Sequence, residues 1–149
     1  MKRRNDVCDI ITFTPTMTQD LEHLYLESRR KTFTWLNKQS FSRSDFGRDT
    51  QGEEIRVAIK SQRIVGFSSL WRPETFIHHL YVSPNHLGQG IGTRLLRELQ
   101  LEHTQLTLKC MVNNTAAIDF YRYHQFTIRS SHYDDEEPYH LMLWTNPLT

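Results

Sequence analysis

Hydrophobic positions recur along this chain with two periods, one typical of strands and one of helices. Residues 8–13 have the β-branched character of a strand, which Thr14-Pro15-Thr16 ends. A helix is predicted next, with Thr18 as its N-cap and with one face formed by Leu21, Leu24, Tyr25 and Ser28. Residues 37–52 are mostly polar and predict a long loop or a short irregular helix, and loops of this length are often functional.

The period of a strand returns at Glu54. Residues 54–59, 64–71 and 76–82 predict three antiparallel strands joined by turns at 60–63 and 72–75. A helix is then predicted from about Gly90 to His103, and Asn113-Asn114 caps another. Further strands are predicted at residues 106–112, 126–132 and 139–144. The order β-α-(α)-β-β-β-α-β-α-β-β indicates one α+β domain over residues 1–149.

The charge balance and the cysteines limit the partners and the cellular compartment that the sequence predicts. The 18 lysines and arginines nearly equal the 17 aspartates and glutamates, so no nucleic-acid partner and no membrane partner is predicted. The basic residues 1–6 are not followed by the apolar region of a secretory signal. Cys8 and Cys110 match no disulfide framework or metal motif. We therefore expect two reduced, buried thiols in a cytoplasmic protein, either a monomer or a homodimer.

A glycine-rich segment, Gly88-Gln89-Gly90-Ile91-Gly92-Thr93, connects a predicted strand to a predicted helix. Backbone N–H groups at such a helix start suit a phosphate group. A Walker loop would need a lysine that is missing here, and a Rossmann fingerprint would need a glycine at Thr93 or at Leu95. A phosphate loop of another family and a glycine-rich turn without a ligand both remain open.

Two motifs together resemble the GNAT family of N-acetyltransferases, in its small bacterial form. Leu80-Tyr81-Val82-Ser83-Pro84, followed by Leu87-Gly88-Gln89-Gly90-Ile91-Gly92, is similar to the family's pyrophosphate loop, although Leu87 stands where Gln or Arg is usual. Asn114-Thr115-Ala116-Ala117-Ile118-Asp119-Phe120-Tyr121, with Phe126 after it, is similar to the second hallmark, although Gln125 replaces its common glycine. The resemblance covers roughly residues 55–144.

The resemblance implies a mixed, strongly twisted central sheet of about seven strands flanked by about four helices and splayed beside the fourth strand. It implies acetyl-CoA as cosubstrate and direct transfer of the acetyl group to a primary amine. The residues implied to hold acetyl-CoA are Leu80, Tyr81, Val82, Leu87, Gly88, Gln89, Gly90, Ile91, Gly92, Thr93, Asn114, Ala117, Phe120 and Tyr121.

Tyr121 and His78 are the predicted catalytic residues. A phenol can protonate the departing thiolate, although Tyr121 also fits the core-facing stripe of its helix. Many relatives carry a glutamate at the position of Phe76 or His78, and a histidine at 78 can accept a proton through water. His79 is the reserve candidate, and a structural role for either histidine stays open. Alternation along the strand predicts that His78 and His79 lie on opposite faces. No third partner stands at ligand spacing, so no metal is predicted.

The acceptor is less defined than the cosubstrate. The acidic residues 134–137 form either a solvated hairpin tip or, as the resemblance implies, a border of the acceptor site that attracts a cationic amine. Tyr133, Tyr139, Trp35 and Trp71 are candidate aromatic walls for that amine, with core or surface packing as the alternative for each of them. A polyamine, an aminoglycoside, an amino acid or a protein amine all remain open. The alternative function is a non-catalytic acyl-CoA-binding module, and a toxin-type enzyme acting on charged tRNA is disfavoured by the near-zero charge.

Overall fold

The predicted strands form a single mixed sheet in a computed structural model that describes residues 7–36 and 40–148. Its strands are β1 (Cys8–Thr12), β2 (Glu54–Lys60), β3 (Arg63–Trp71), β4 (Phe76–Val82), β5 (Gln105–Met111), β6 (Thr127–His132) and β7 (Tyr139–Thr145). They lie in the order β1-β2-β3-β4-β5-β7-β6. The α-helices of the described residues are α1 (Thr18–Thr32), α2 (Asp45–Asp49), α3 (Ile91–Glu102) and α4 (Thr115–Tyr123). The predicted α+β fold with about seven strands and four helices is confirmed.

Helices cover both faces of the sheet because apolar residues of β2 point alternately to each side. Val57 packs in a cluster with Leu21 and Leu24 of α1. Its neighbour Ala58 packs instead with Ile91 and Leu95 of α3. Adjacent residues of a strand point to opposite faces, so α1 and α3 lie on opposite sides of β2.

Two details near the start of the chain differ from the sequence prediction. Thr18 is the first residue of α1 and not its N-cap, because a short 3-10 helix (Pro15–Met17) leads into α1 and places Met17 at the cap position. Cys8 is half-buried rather than buried, whereas Cys110 is buried as predicted, and both thiols are free. The loop or irregular helix predicted at 37–52 contains α2, and its residues 37–39 lie outside the described part of the chain.

The sheet opens between β4 and β5. These strands run parallel and pair only at Phe76 with Thr107 and at Ile77 with Leu108. On its other side β4 pairs with β3 as far as Val82. Beyond Ile77, β4 therefore pairs with no strand of the described residues on its β5 side, which agrees with the splayed sheet that the family resemblance implies. This gap positions the candidate site.

Within the described residues, no helix is both long and apolar enough to cross a membrane. The basic residues 1–6, from which the absence of a secretory signal was predicted, lie outside that part of the chain.

Candidate active site

The glycine-rich turn follows β4 and leads into α3, and two of its glycines have a backbone conformation that other residues avoid. Gly88 and Gly90 have φ values of +76° and +80°, and Gly90 is the N-cap of α3. Gly92 has a packing role, because a Cβ atom there would lie 3.3 Å from the ring of Phe120. The helices α3 and α4 therefore approach each other at a glycine.

The same turn presents backbone donors to solvent. Leu87, Gly88, Gln89 and Gly90 are exposed. Among the described residues, no group accepts a hydrogen bond from the backbone N–H groups of residues 88–93. Unpaired donors at the positive end of a helix suit an anion such as pyrophosphate. The open space around a Cβ built on Gly88 or Gly90 leaves room for such a group to approach.

One cation beside the turn was missed by the sequence analysis. The Nζ atom of Lys60, at the end of β2, donates to Oε1 of Gln89 at 2.8 Å. Lys60 lies far from the motif along the chain, so no local signal could have identified it. Its charge stands beside the turn in which Leu87, 61% exposed, supplies only an apolar side chain.

The helix α4 carries Tyr121 at the gap in the sheet. Asn114 caps α4 as predicted, because its Oδ1 accepts from the N–H of Ala117 at 3.3 Å. The ring of Tyr121 is buried and packs edge-on against Phe120 and Phe126. Burial raises the pKa of the Tyr121 hydroxyl well above its ordinary value. The hydroxyl therefore keeps its proton near neutral pH and is available as a donor.

A cavity of about 550 Å³ lies at the gap and gathers six of the predicted site residues. These are His78, Leu80, Tyr81, Asn114, Ala117 and Tyr121. The other predicted residues, Val82, Phe120 and the turn from 87 to 93, are outside its lining. The turn nevertheless adjoins the cavity. Gly92 lies against Val82 and Phe120, and these two residues are the chain neighbours of Tyr81 and Tyr121, which line the cavity. The predicted cofactor-binding residues thus fall into two connected parts, the turn and the cavity.

Cys110 also lines this cavity. Burial raises the pKa of its thiol to about 11. The thiolate is the nucleophilic form of cysteine, so near neutral pH Cys110 is not an activated nucleophile.

A β-bulge changes the predicted placement of the two histidines of β4. Ser69 of β3 pairs with His79, but the next residue, Leu70, pairs with Ile77, which leaves His78 as the extra residue. Strict alternation is lost at this point. The prediction that His78 and His79 lie on opposite faces is therefore wrong, and their ring centroids are 4.0 Å apart.

Glu53, just before β2, joins the two histidines and was not identified from the sequence. Its Oε2 atom lies 2.6 Å from Nδ1 of His78, and its Oε1 atom lies 3.7 Å from Nδ1 of His79. Burial opposes its charge, but the polar groups of His79, Ser69 and His78 around the carboxylate hold the pKa of Glu53 below its usual range. Glu53 is therefore a carboxylate near neutral pH, and it orients the half-exposed ring of His78 in the cavity wall.

His79 is held by a buried network instead of facing the cavity freely. Tyr25 donates its hydroxyl proton to Oδ2 of Asp49 at 2.8 Å, so its oxygen accepts from Nε2–H of His79 at 3.2 Å. Nδ1 of His79 then accepts from the hydroxyl of Ser69 at 2.7 Å. Burial lowers the pKa of His79, so its imidazole is neutral. With both ring nitrogens engaged, His79 is a weaker base candidate than His78.

The spacing of residues along the chain indicates no third metal-ligand partner for the two histidines, but the fold brings one close to them. One donor atom each from Glu53, His78 and His79 lie within 4.8 Å of one another. A third partner at ligand distance is therefore present.

The remaining cavity wall is aromatic and carries charges of both signs, because Arg29 and Lys109 line it as well as acidic residues. Asp135 and Glu137 line it, so part of the acidic segment 134–137 does border the cavity. Of the predicted aromatic walls only Tyr139 contributes; Trp35, Trp71 and Tyr133 are exposed and lie outside the lining. Their place is taken by Phe33, Phe41 and Phe76.

Comparison with known proteins identifies the class of protein that this fold and site define. The profile of the acetyltransferase (GNAT) family matches residues 17–126. No curated protein matches the chain in sequence. The chain belongs to the GNAT family of acetyltransferases.

Solved structures share the fold at low sequence identity. A GCN5-related N-acetyltransferase from Rhodopseudomonas palustris is 17% identical with a TM-score of 0.75, over 92% of this chain and 94% of that one. The structure of yncA from Salmonella typhimurium with its cofactor acetyl-CoA is 17% identical with a TM-score of 0.70, over 93% of each chain. The PaiA N-acetyltransferase from Thermoplasma acidophilum, in complex with coenzyme A, is 16% identical with a TM-score of 0.75, over 93% of this chain and 99% of that one.

Proposed function

We propose that this protein transfers an acetyl group from acetyl-CoA directly to a primary amine. The observation that carries the proposal is the continuity of an anion-binding turn with a cavity that holds a buried phenol and a histidine. Acetyl-CoA, when bound, supplies the acetyl group as a thioester. The similar structures with acetyl-CoA and coenzyme A support this choice of cosubstrate.

The chain offers separate groups for binding the pyrophosphate and the pantetheine arm of acetyl-CoA. The N–H groups of residues 88–93, with Lys60 beside them, suit the pyrophosphate. The edge of β4 at Leu80, Tyr81 and Val82 pairs with no described strand on its β5 side, and it offers backbone groups to the pantetheine arm. Asn114 and Ala117, at the start of α4, line the cavity into which the arm leads.

Two side chains move protons in this proposal. His78, whose Nδ1 is hydrogen-bonded to Glu53, presents Nε2 to the cavity and accepts a proton from the amine, directly or through a water molecule. Tyr121 donates its hydroxyl proton to the departing sulfur. Asp135 and Glu137 place two carboxylates in the cavity wall, which also carries Lys109, and these carboxylates favour a cationic amine.

Binding of acetyl-CoA is the first test. We expect acetyl-CoA to bind in isothermal titration calorimetry and to raise the melting temperature. Gly90→Ala should weaken binding about tenfold, because it places a methyl group at φ +80° beside the phosphate-facing N–H groups. Gly52→Ala is the matched control, since it introduces similar strain at φ +79° outside the turn. The absence of binding at millimolar acetyl-CoA contradicts both the enzyme and the non-catalytic module.

Loss of the base is the second test. His78→Gln should lower kcat about 10²-fold for amine acetylation, the contribution of one general base, with little change in the affinity for acetyl-CoA. Thiol release across a panel of polyamines, aminoglycosides, amino acids and peptides measures this rate. His23→Gln, an exposed histidine of α1, serves as the control. Binding of acetyl-CoA without turnover on any amine favours the non-catalytic module.

A further inference from the structure

Three metal-ligand side chains meet at the bulge of β4. Glu53 arrives from the turn before β2, and the extra residue in β4 turns both His78 and His79 towards it. The donor atoms are close: Nδ1 of His78 lies 2.6 Å from Oε2 of Glu53, and Nδ1 of His79 lies 3.7 Å from Oε1. Two imidazoles and one carboxylate form a donor set that suits zinc and similar transition metals.

A buried oxygen at the centre of this group has no partner. The side chain of Glu53 is only 7% exposed, and its Oε1 makes no hydrogen bond among the described residues. The 3.7 Å separation from His79 is too long for a hydrogen bond. A buried carboxylate oxygen without a hydrogen-bond partner destabilises the fold. A bound cation would remove this cost, and no described side chain supplies one to Oε1.

The surroundings of His79 match those of a metal-binding histidine. Such residues donate the second ring N–H to an oxygen that fixes the tautomer. Nε2–H of His79 does so towards Tyr25, which Asp49 orients in turn. Nδ1 of His79 therefore carries a lone pair, and this atom faces Glu53. In the structure the lone pair accepts a hydrogen bond from the hydroxyl of Ser69.

We propose that Glu53, His78 and His79 bind one divalent transition-metal ion of the zinc class. The ligands are the carboxylate of Glu53 and the Nδ1 atoms of both histidines. Binding at Nδ1 moves the proton that His78 shares with Glu53 onto Nε2 of the same ring, and it displaces the hydroxyl proton of Ser69 from Nδ1 of His79. His78 is 46% exposed in the cavity wall, so one side of the ion stays open to water or to a ligand in the cavity. Magnesium and calcium, which prefer oxygen ligands, should bind poorly.

The ion also controls the base of the proposed reaction. A metal on Nδ1 of His78 keeps the proton on Nε2, and that nitrogen then accepts no proton from the amine. The ion therefore inhibits acetyl transfer. This inhibition rests on the proposed function, whereas the binding of the ion does not.

Cobalt binding tests the site without any assay of activity. The full chain is treated with a chelator, desalted and titrated with Co²⁺ alone, and visible absorption and isothermal titration calorimetry measure the binding. We expect one equivalent of Co²⁺, displaced by Zn²⁺ and not by Mg²⁺. Glu53→Gln and His78→Gln should abolish the spectrum, and Tyr25→Phe should weaken binding 10–100-fold because it frees the tautomer of His79.

His23→Gln is the matched control and should bind the ion like the natural chain, and circular dichroism confirms that each variant is folded. The proposal is overturned if no stoichiometric spectrum forms, or if the Glu53→Gln variant, when folded, binds as well as the natural chain. Acetyl transfer without ion binding overturns this inference alone. Ion binding by a protein that, once freed of the ion, transfers no acetyl group overturns only the proposed function.

Discussion

Tyr121→Phe is expected to lower kcat about 10²–10³-fold and to leave the affinity for acetyl-CoA unchanged. The hydroxyl is the only group removed, and proton donation to a leaving group contributes a factor of this size. Burial raises the pKa of Tyr121 above its ordinary value, so the natural enzyme retains this proton through neutral and moderately alkaline pH. Steady-state thiol release and calorimetry with acetyl-CoA give the two parameters separately.

The same substitution should barely affect stability, which makes the kinetic result interpretable. The ring of Tyr121 packs against Phe120 and Phe126, and phenylalanine keeps these contacts. Tyr123→Phe, two residues further along α4 and 82% exposed, is the control and should retain full kcat. A Tyr121→Phe enzyme with the natural kcat rules out the phenol as the acid.

The turn and the helix α4 could be predicted from the sequence because their signals are local. Gly88 and Gly90 have positive φ angles. Glycine is the residue that adopts such angles most easily, so the glycines of the motif predict this backbone conformation directly. Asn114 caps α4 through a contact only three residues away. Features of this kind depend on a few neighbouring residues, and a single sequence contains them.

The histidine cluster could not be predicted for the opposite reason. Its placement depends on one extra residue in the pairing of β3 with β4, which displaces His78 from strict alternation. Glu53 is 25 residues from His78 along the chain, and it reaches that residue only because β2, β3 and β4 pair in order. The aromatic residues of the cavity wall could not be predicted for a similar reason. Phe33 and Phe41 flank a segment whose sequence has no clear hydrophobic period.

The second large effect concerns the buried ion pair that joins α2 to α1. Arg29 and Asp45 are 6% and 5% exposed, and NH1 of Arg29 lies 3.0 Å from Oδ2 of Asp45. The guanidinium also stacks on the rings of Tyr25 and Phe41, at 3.8 and 4.6 Å. Because Arg29, Tyr25 and Phe41 all line the cavity, this pair fixes one wall of the candidate site.

Asp45→Ala should lower the free energy of unfolding by about 3 kcal/mol, because it leaves the charge of Arg29 buried and unpaired. Urea denaturation followed by circular dichroism measures this value. A double variant, Arg29→Met with Asp45→Leu, should recover most of the loss, since an apolar pair needs no compensating charge. Glu27→Ala, which breaks an exposed pair with Arg30 at 3.8 Å, is the control and should cost at most about 0.5 kcal/mol.

The pH dependence of that difference separates charge from packing. Burial opposes ionisation of Asp45, but hydrogen bonds from Ser42 and Arg29 hold its pKa below the usual value. A carboxylate with a depressed pKa in the folded state stabilises the protein above its unfolded pKa of about 3.9. That contribution disappears as the pH falls through the folded value. The gap between the natural chain and Asp45→Ala should therefore be full at pH 7 and should narrow below about pH 4. A gap that stays constant down to pH 2.5 would show that the loss comes from packing and not from the unpaired guanidinium.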